Sequence, residues 1–398
     1  MGSEKPLLPF SRRSFLHLSA AASAAASFRI VTEPMLAHAG RTIVPKDAVA
    51  IDSNENPLGP CAAAREAIAA ITPNAGRYSF HLTDELGAMF AEMEGLKAEN
   101  VLVYPGSSEP LHHAVMAFTS RTRSYVAADP GYEAGMFAAN QSGAKVVNVP
   151  LTASHAHDVK AMISAAPDAG LFYICTPNNP TGTLTSHADI EYLVQNKPAG
   201  SIVMVDEAYI HFAGAPSAID LVRAGKDVIV LRTFSKIYGM AGLRCGFAIG
   251  RPDLLEKVQN YGGWNSMPVT GVVAASASLK DAQLVAERRR INSTIRQATF
   301  DWLDRQGYSY IPSETNFFML DTKRPGKQAL DAMEKQSVFV GRVWPVMPTW
   351  VRVTVGTQPE MERFQAAFKR VMDGATVGAI RPVRRVGKRR LDGFTIPS

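Results

Sequence analysis

Short apolar runs alternate with longer amphipathic stretches through most of the chain. The apolar runs predict strands: VLVY (101–104), SYVAA (124–128), AKVVNV (144–149), LFYIC (171–175), SIVMVD (201–206), VIVLRT (228–233) and CGFAIG (245–250). Several are apolar throughout, which is typical of strands covered on both faces. Helical patterns such as residues 107–120 and 185–197 lie between most of them. Strand-helix-strand repetition predicts an α/β fold, with a mainly parallel, seven-stranded sheet and helices on both faces.

From about residue 286 the pattern changes, which indicates a second, smaller α+β domain. A charged helix is followed by strands around NFFML and WVRVTVG and then by the helix PEMERFQAAFKRVM. We therefore divide the chain at the following boundaries: 1–39 export signal, 40–74 N-terminal arm, 75–285 large domain, 286–376 small domain and 377–398 basic tail.

The amino-acid composition indicates a globular protein. The chain has 398 residues, 46% hydrophobic and 20% charged, which is typical of a globular protein with a large core. The formal net charge of +6 overstates how basic the folded body is, because Lys and Arg crowd the C-terminal tail. No aromatic ladder or nucleic-acid-binding motif accompanies that tail, so we expect a solvated end and no nucleic-acid partner.

The three cysteines, Cys61, Cys175 and Cys245, have no metal-type spacing, so no metal site is predicted. Two of them lie in or beside apolar runs, and we expect buried free thiols of a protein folded in a reducing compartment.

The N-terminus has the pattern of a targeting signal. Arg12 and Arg13, within SRRSFL, precede an alanine-rich segment too short and too weakly apolar for a membrane span. AHAG (37–40) has the small-x-small pattern of a cleavage site, after Ala39. This resembles a twin-arginine signal and predicts export of the folded protein, by the export machinery, to the periplasm. A cytoplasmic enzyme with a disordered N-terminus is the alternative.

Polar residues follow successive strands of the predicted sheet. Ser107 and Ser108 follow VLVY, the turn TPNNPTG follows LFYIC, and Asp206 ends SIVMVD with Tyr209 close behind. The next strand leads to Thr233, Ser235 and Lys236. Each of these has an ordinary structural explanation as a cap, a turn or a solvated side chain. In parallel sheets, however, ligands bind beyond the carboxyl ends of the strands. An anion site, a carboxylate and a lysine at one edge match the needs of pyridoxal 5′-phosphate.

The chain resembles the fold-type I, class I/II aminotransferases that use pyridoxal phosphate, and most of all their histidinol-phosphate branch. The resemblance covers roughly residues 48–370 and rests on motifs in order: DSNENPLGP (52–60), RY (77–78), GSSE (106–109), DPGYE (129–133), TPNNPTG (176–182), VDEAYIHF (205–212), RTFSKIYGMAGLRCGF (232–247) and VRVTVGT (351–357).

The resemblance implies a role for each matching residue. Lys236 would bond covalently to the cofactor's aldehyde and then move the substrate's α-proton. Asp206 would hold the ring nitrogen protonated, Asn179 and Tyr209 would hydrogen-bond the ring's phenolic oxygen, and Tyr132 would stack on the ring. The cofactor's phosphate would be bound by Ser107, Ser108, Thr233, Ser235 and Arg244. Tyr78 would reach the phosphate in a neighbouring subunit, which implies a homodimer. Arg352, Asn56 and Arg342 would bind substrate.

Two departures from the family pattern leave the substrate open. Gly341 stands before Arg342, where the family usually has the arginine directly after the strand, and Ser79-Phe80 replaces the usual proline after RY. Trp344, Met347 and Trp350 fit either an apolar substrate pocket or packing between domains. We expect an amino acid:2-oxo acid aminotransferase whose donor is an amino acid, with an aromatic one among the options, or a compound like histidinol phosphate. A lyase, decarboxylase or cyclase on the same fold and a non-catalytic cofactor-binding protein are the alternatives.

Overall fold

The computed structural model describes residues 30–37, 44–262 and 266–374. The helices are α1 Glu33–Ala37, α2 Ala62–Ile71, α3 Phe80–Met93, α4 Ser108–Phe118, α5 Ala134–Ser142, α6 Val159–Ala165, α7 His187–Asn196, α8 Ile210–Ala213, α9 Ile219–Arg223, α10 Pro252–Gln259, α11 Val269–Lys280, α12 Leu284–Gln306, α13 Gly326–Glu334 and α14 Gln358–Met372. The strands are β1 Val49–Ile51, β2 Val101–Tyr104, β3 Ser124–Asp129, β4 Val146–Pro150, β5 Ala169–Cys175, β6 Ile202–Asp206, β7 Val228–Thr233, β8 Gly246–Gly250, β9 Tyr310–Ile311, β10 Phe317–Asp321, β11 Val338–Val340 and β12 Trp350–Thr354.

A seven-stranded sheet in the order β2-β8-β7-β6-β5-β3-β4 forms the centre of the molecule. Its pairs are parallel except those made by β8, which runs antiparallel to both β2 and β7. Every residue of β5, β6 and β7 is buried, because helices cover both faces of the sheet. The predicted fold class, with its mainly parallel seven-stranded sheet, is confirmed.

A smaller sheet, β12-β10-β9, is antiparallel and packs with α12 and α14 around a second core. The N-terminal arm joins this core, since β1 pairs in parallel with β11. Val49 and Ile51 of β1 are buried in the same cluster as Val338 and Val340. A smaller α+β region was predicted from residue 286 on, and the contribution of β1 to it was not. The exact domain boundaries stay predictions.

All three cysteines are buried and free, as expected for thiols that fill a core rather than form a disulfide framework. No helix in the described ranges is both long and apolar enough to cross a membrane. The twin arginines and the basic tail from residue 377 on lie outside the described residues, as does the predicted cleavage point after Ala39.

The parallel register aligns the carboxyl ends of neighbouring strands. Cys175 at the end of β5 is level with Asp206 at the end of β6, and Asp206 is level with Leu231 of β7. The loops after these strands therefore meet at one edge of the sheet, where polar residues had been predicted to gather.

Candidate active site

One cavity at the carboxyl edge of the sheet brings together nearly all the residues predicted to bind the cofactor. Of the predicted residues it is lined by Ser107, Ser108, Tyr132, Asn179, Asp206, Tyr209, Thr233, Ser235, Lys236 and Arg244. Tyr78 is not among them: its side chain is 75% exposed and stacks on Phe80, with ring centroids 5.7 Å apart.

One end of this cavity is built to hold an anion. Ser107 occupies the N-cap position of α4 without a side-chain capping bond, and Ser108 begins the helix, so the free N–H groups of an eleven-residue helix face this end. Arg244 donates from Nη1 to Ser235 Oγ at 3.2 Å and from Nη2 to the Pro105 carbonyl at 3.0 Å. Thr233 Oγ1 donates to Ser235 Oγ at 2.9 Å.

Gly106 makes this end possible. Its φ is +89°, and a Cβ there would collide with the Arg244 guanidinium. Hydroxyls, backbone N–H groups and a planar guanidinium form the donor set that a phosphate requires. The residues present therefore fit the phosphate of pyridoxal phosphate.

A buried carboxyl lies at the end of β6. Asp206 accepts hydrogen bonds from Tyr173 Oη to Oδ2 at 2.8 Å and from the Ala208 N–H to Oδ1 at 3.1 Å. Burial raises the pKa of Asp206 to about 6, although the hydrogen bonds from Tyr173 and Ala208 oppose that change. A protonated ring nitrogen facing Asp206 would supply the missing positive charge and keep the carboxylate ionised.

Lys236 also lies in this cavity and is only 8% exposed. Its Nζ donates to the Ser53 carbonyl at 3.3 Å and lies 5.6 Å from the centroid of the Tyr209 ring. Burial lowers the pKa of Lys236 to about 8, while the carboxylate of Glu33 opposes this. A substantial fraction of the amine is therefore neutral near pH 8, as a nucleophilic or basic lysine requires.

Two tyrosines and an asparagine line the space between these groups. Tyr209 Oη accepts from Asn54 Nδ2 at 3.0 Å, and burial raises the pKa of Tyr209 well above its ordinary value. Tyr132 Oη lies 3.5 Å from Ser108 Oγ, so it connects to the anion end. Asn179 sits in the turn after β5, with its side chain buried.

Arg352 lies behind Asn179 and is completely buried. Its Nη1 donates to Asn179 Oδ1 at 2.7 Å, and its Nη2 donates to the Asp52 carbonyl at 2.8 Å. Nη2 also donates to Glu33 Oε1 at 2.5 Å, while Asn179 Nδ2 donates to Glu33 Oε2 at 3.3 Å. Burial alone would raise the pKa of Glu33, but the charges of Arg352, Arg342 and Lys236 outweigh it and lower that pKa. An ionised carboxylate therefore sits on the arginine predicted to bind substrate.

The other two residues predicted to bind substrate, like Arg352, lie outside the cavity lining. Arg342 donates to both oxygens of Glu133, at 3.2 and 2.9 Å, and its Cζ lies 4.4 Å from the centroid of the Trp344 ring. Asn56 donates from Nδ2 to the Ile237 carbonyl at 2.9 Å and lines an adjoining cleft. Trp344 is buried and donates to the Gly131 carbonyl, so it packs between elements of the fold. The functional roles of these residues stay predictions.

Comparison with known proteins agrees with this arrangement. Residues 46–368 match the family described as aminotransferase class I and II. The chain belongs to this family. A histidinol-phosphate aminotransferase of Moorella thermoacetica is 32% identical over 338 residues, 82% of this chain and 86% of the relative. An aromatic amino acid aminotransferase of Cutibacterium acnes is 32% identical over 335 residues, 83% of this chain and 94% of the relative.

A solved structure shares the fold. The histidinol-phosphate aminotransferase of Sinorhizobium meliloti, in complex with pyridoxal-5′-phosphate, aligns with a TM-score of 0.75 at 25% identity, over 88% of this chain and 96% of that one. The prediction of an aminotransferase is thus confirmed, and the cofactor predicted from the sequence is the one bound in that structure.

Tyr173 and Glu33 are among the residues of the site that were missed from the sequence. Tyr173 lies in an apolar strand, two residues before Cys175, which pairs with Asp206. Because alternate residues of a strand share a face, Tyr173 could have been predicted to lie near Asp206. Glu33 had been assigned to the export signal, and no motif marks it.

Proposed function

We propose that this aminotransferase uses pyridoxal 5′-phosphate to move the amino group of an amino acid to a 2-oxo acid in a ping-pong reaction. The observation that carries the proposal is the joint presence of Lys236, Asp206 and the anion-binding end in one cavity, with Arg352 directly behind it. The bound cofactor supplies an electron sink for the substrate's α-carbon.

Each side chain has a distinct task in this proposal. Lys236, with a pKa of about 8, would take the proton from the substrate's α-carbon and deliver it to the cofactor. Asp206 holds a proton on the ring nitrogen. Arg244 and the serines fix the phosphate, and Arg352 binds the substrate's carboxylate, so the reacting bond is oriented between two anchored anions.

The charges around Arg352 favour an amino acid donor over a phosphate ester. Two arginines, Arg352 and Arg342, meet two carboxylates, Glu33 and Glu133. Glu133 already holds Arg342 through both oxygens. One carboxylate of a substrate can replace Glu33 on Arg352 without a change in net charge, whereas a phosphate monoester brings a charge of about −1.5 to −2.

A comparison of donors tests this proposal. We expect kcat/KM with 2-oxoglutarate as acceptor to be at least about tenfold higher for phenylalanine than for histidinol phosphate. The reason is that the carboxylate of phenylalanine forms a charge-matched hydrogen-bonded pair with Arg352, which the phosphate ester does not. A preference for histidinol phosphate would contradict the choice of donor. Release of carbon dioxide or ammonia without amino transfer would contradict the reaction itself. Lys236→Ala serves as the inactive control.

We also propose, from the sequence, that the folded protein is exported by the twin-arginine route and works as a homodimer. The exposed Tyr78 ring supports the second part, since a side chain meant for a neighbour's site is exposed in a single subunit. N-terminal sequencing of protein from the periplasmic fraction tests the first part. An uncleaved chain confined to the cytosol would contradict it.

A further inference from the structure

Glu33 occupies the position in which the proposed reaction needs the substrate's carboxylate. Its two oxygens meet Arg352 Nη2 at 2.5 Å and Asn179 Nδ2 at 3.3 Å. Thr32 and Glu33 line the same cavity as Lys236. Glu33 is 6% exposed, so a substrate carboxylate cannot reach Arg352 while Glu33 remains there.

Arg352 needs an anion as its counter-charge, and Glu33 supplies it. In the part of the chain that the structure describes, Glu33 is the only carboxylate paired with this completely buried guanidinium. The Asp52 carbonyl and Asn179 Oδ1 are neutral acceptors. A buried arginine without a counter-charge is costly, so Glu33 and a substrate carboxylate are exclusive alternatives for the same place.

The segment that carries Glu33, residues 30–37, contacts the body through side chains and one backbone N–H. It contains the five-residue helix α1 and forms no strand pairing. The Val31 N–H donates to His112 Nε2 at 2.9 Å, and Leu36 packs partly buried against the large core. Because α1 adds no strand and its Leu36 is only partly buried against the large core, the segment can leave the site while the central sheet persists.

We propose that residues 30–37 are a tethered competitor, in which Glu33 acts as a built-in ligand that blocks the carboxylate subsite. This inference rests on the proposed function, because Arg352 must be the substrate's anchor. Glu33 precedes Ala39, so cleavage at the predicted point removes the competitor. The enzyme would then fold with its site closed and open on loss of the segment.

Binding of an unreactive carboxylate to the cofactor-loaded protein tests the inference without relying on turnover. The probe is 3-phenylpropionate, which has the carboxylate and ring of phenylalanine but no amino group. Its Kd is measured by calorimetry for the full chain, for Glu33→Gln and for a chain lacking residues 1–39. We expect both altered proteins to bind it at least about tenfold more tightly, because the competing charge is gone. The absorbance of bound cofactor reports that each variant has folded.

Glu55→Gln is the matched control, since Glu55 lines the same cavity but makes no ion pair with Arg352. Equal tightening in Glu55→Gln would assign the effect to the general charge of the cavity and overturn the inference. Unchanged binding in Glu33→Gln would overturn it as well, and weaker or undetectable binding would overturn it and make Glu33 part of the substrate site. If tightening occurs but no donor is transaminated, Glu33 still competes with a carboxylate for Arg352, and only the proposed amino transfer fails.

Discussion

Gly106→Ala tests whether the end of the cavity near α4 is a phosphate site. A Cβ at this position would collide with the Arg244 guanidinium, which must then leave its hydrogen bonds to Ser235 and Pro105. Loss of one hydrogen bond to a charged group costs roughly 1.5–3 kcal/mol. We therefore expect the Kd of pyridoxal phosphate to rise about 10- to 160-fold.

Gly59→Ala provides the matched control. Gly59 also has a positive φ, +63°, but nothing lies within 4 Å of a Cβ built there. In both variants a side chain in the left-handed region lowers the free energy of unfolding by roughly 1–2 kcal/mol. Only Gly106→Ala should lose cofactor affinity, measured by titration of the bound cofactor's absorbance. Equal Kd values for the two variants would refute the assignment of this end to phosphate.

Three further predictions concern Asp206 and Lys236 in the cavity and Tyr78, which is predicted to reach a neighbouring subunit. Because burial raises the pKa of Asp206 from 3.8 to about 6, its contribution to stability is present below pH 3.8 and lost as pH rises through 6. In cofactor-free protein that loss of stability is roughly 3 kcal/mol. Calorimetry should therefore show the Tm of the wild type falling relative to that of Asp206→Asn between pH 3.8 and 6. A difference in Tm that stays constant over this range would contradict the prediction. Lys236→Ala should lose at least about a thousandfold in kcat and no longer gain the cofactor's mass on borohydride reduction, and retention of either property would exclude Lys236 as the covalent anchor. Tyr78→Ala and Lys236→Ala, each impaired alone, should regain activity when co-expressed, since a mixed dimer keeps one intact site, and no recovery would argue against a shared site.

The strands of the large domain could be predicted from the sequence because each is a continuous apolar run. β2 and β7 begin and end where the apolar runs VLVY and VIVLRT do. Topology then brings the strand ends to one edge, so Asp206 and Lys236 could be assigned to one site without coordinates.

The rest depended on contacts between distant parts of the chain. β1 is three residues long, too short for a periodic pattern, and its partner β11 lies far along the sequence. The Glu33–Arg352 ion pair likewise joins the two ends of the described chain. Arg342 could be singled out from the sequence, but its pairing with Glu133 could not, because nothing local relates the two residues.

A nitrogen tracer tests the central claim most directly. Cofactor-loaded protein is incubated with ¹⁵N-phenylalanine and 2-oxoglutarate, and the products are resolved by mass spectrometry, with Lys236→Ala in parallel. An aminotransferase places the label in glutamate and forms an equal amount of phenylpyruvate, and the variant forms neither. Label recovered as ammonia, or phenylethylamine and carbon dioxide without labelled glutamate, would contradict the account.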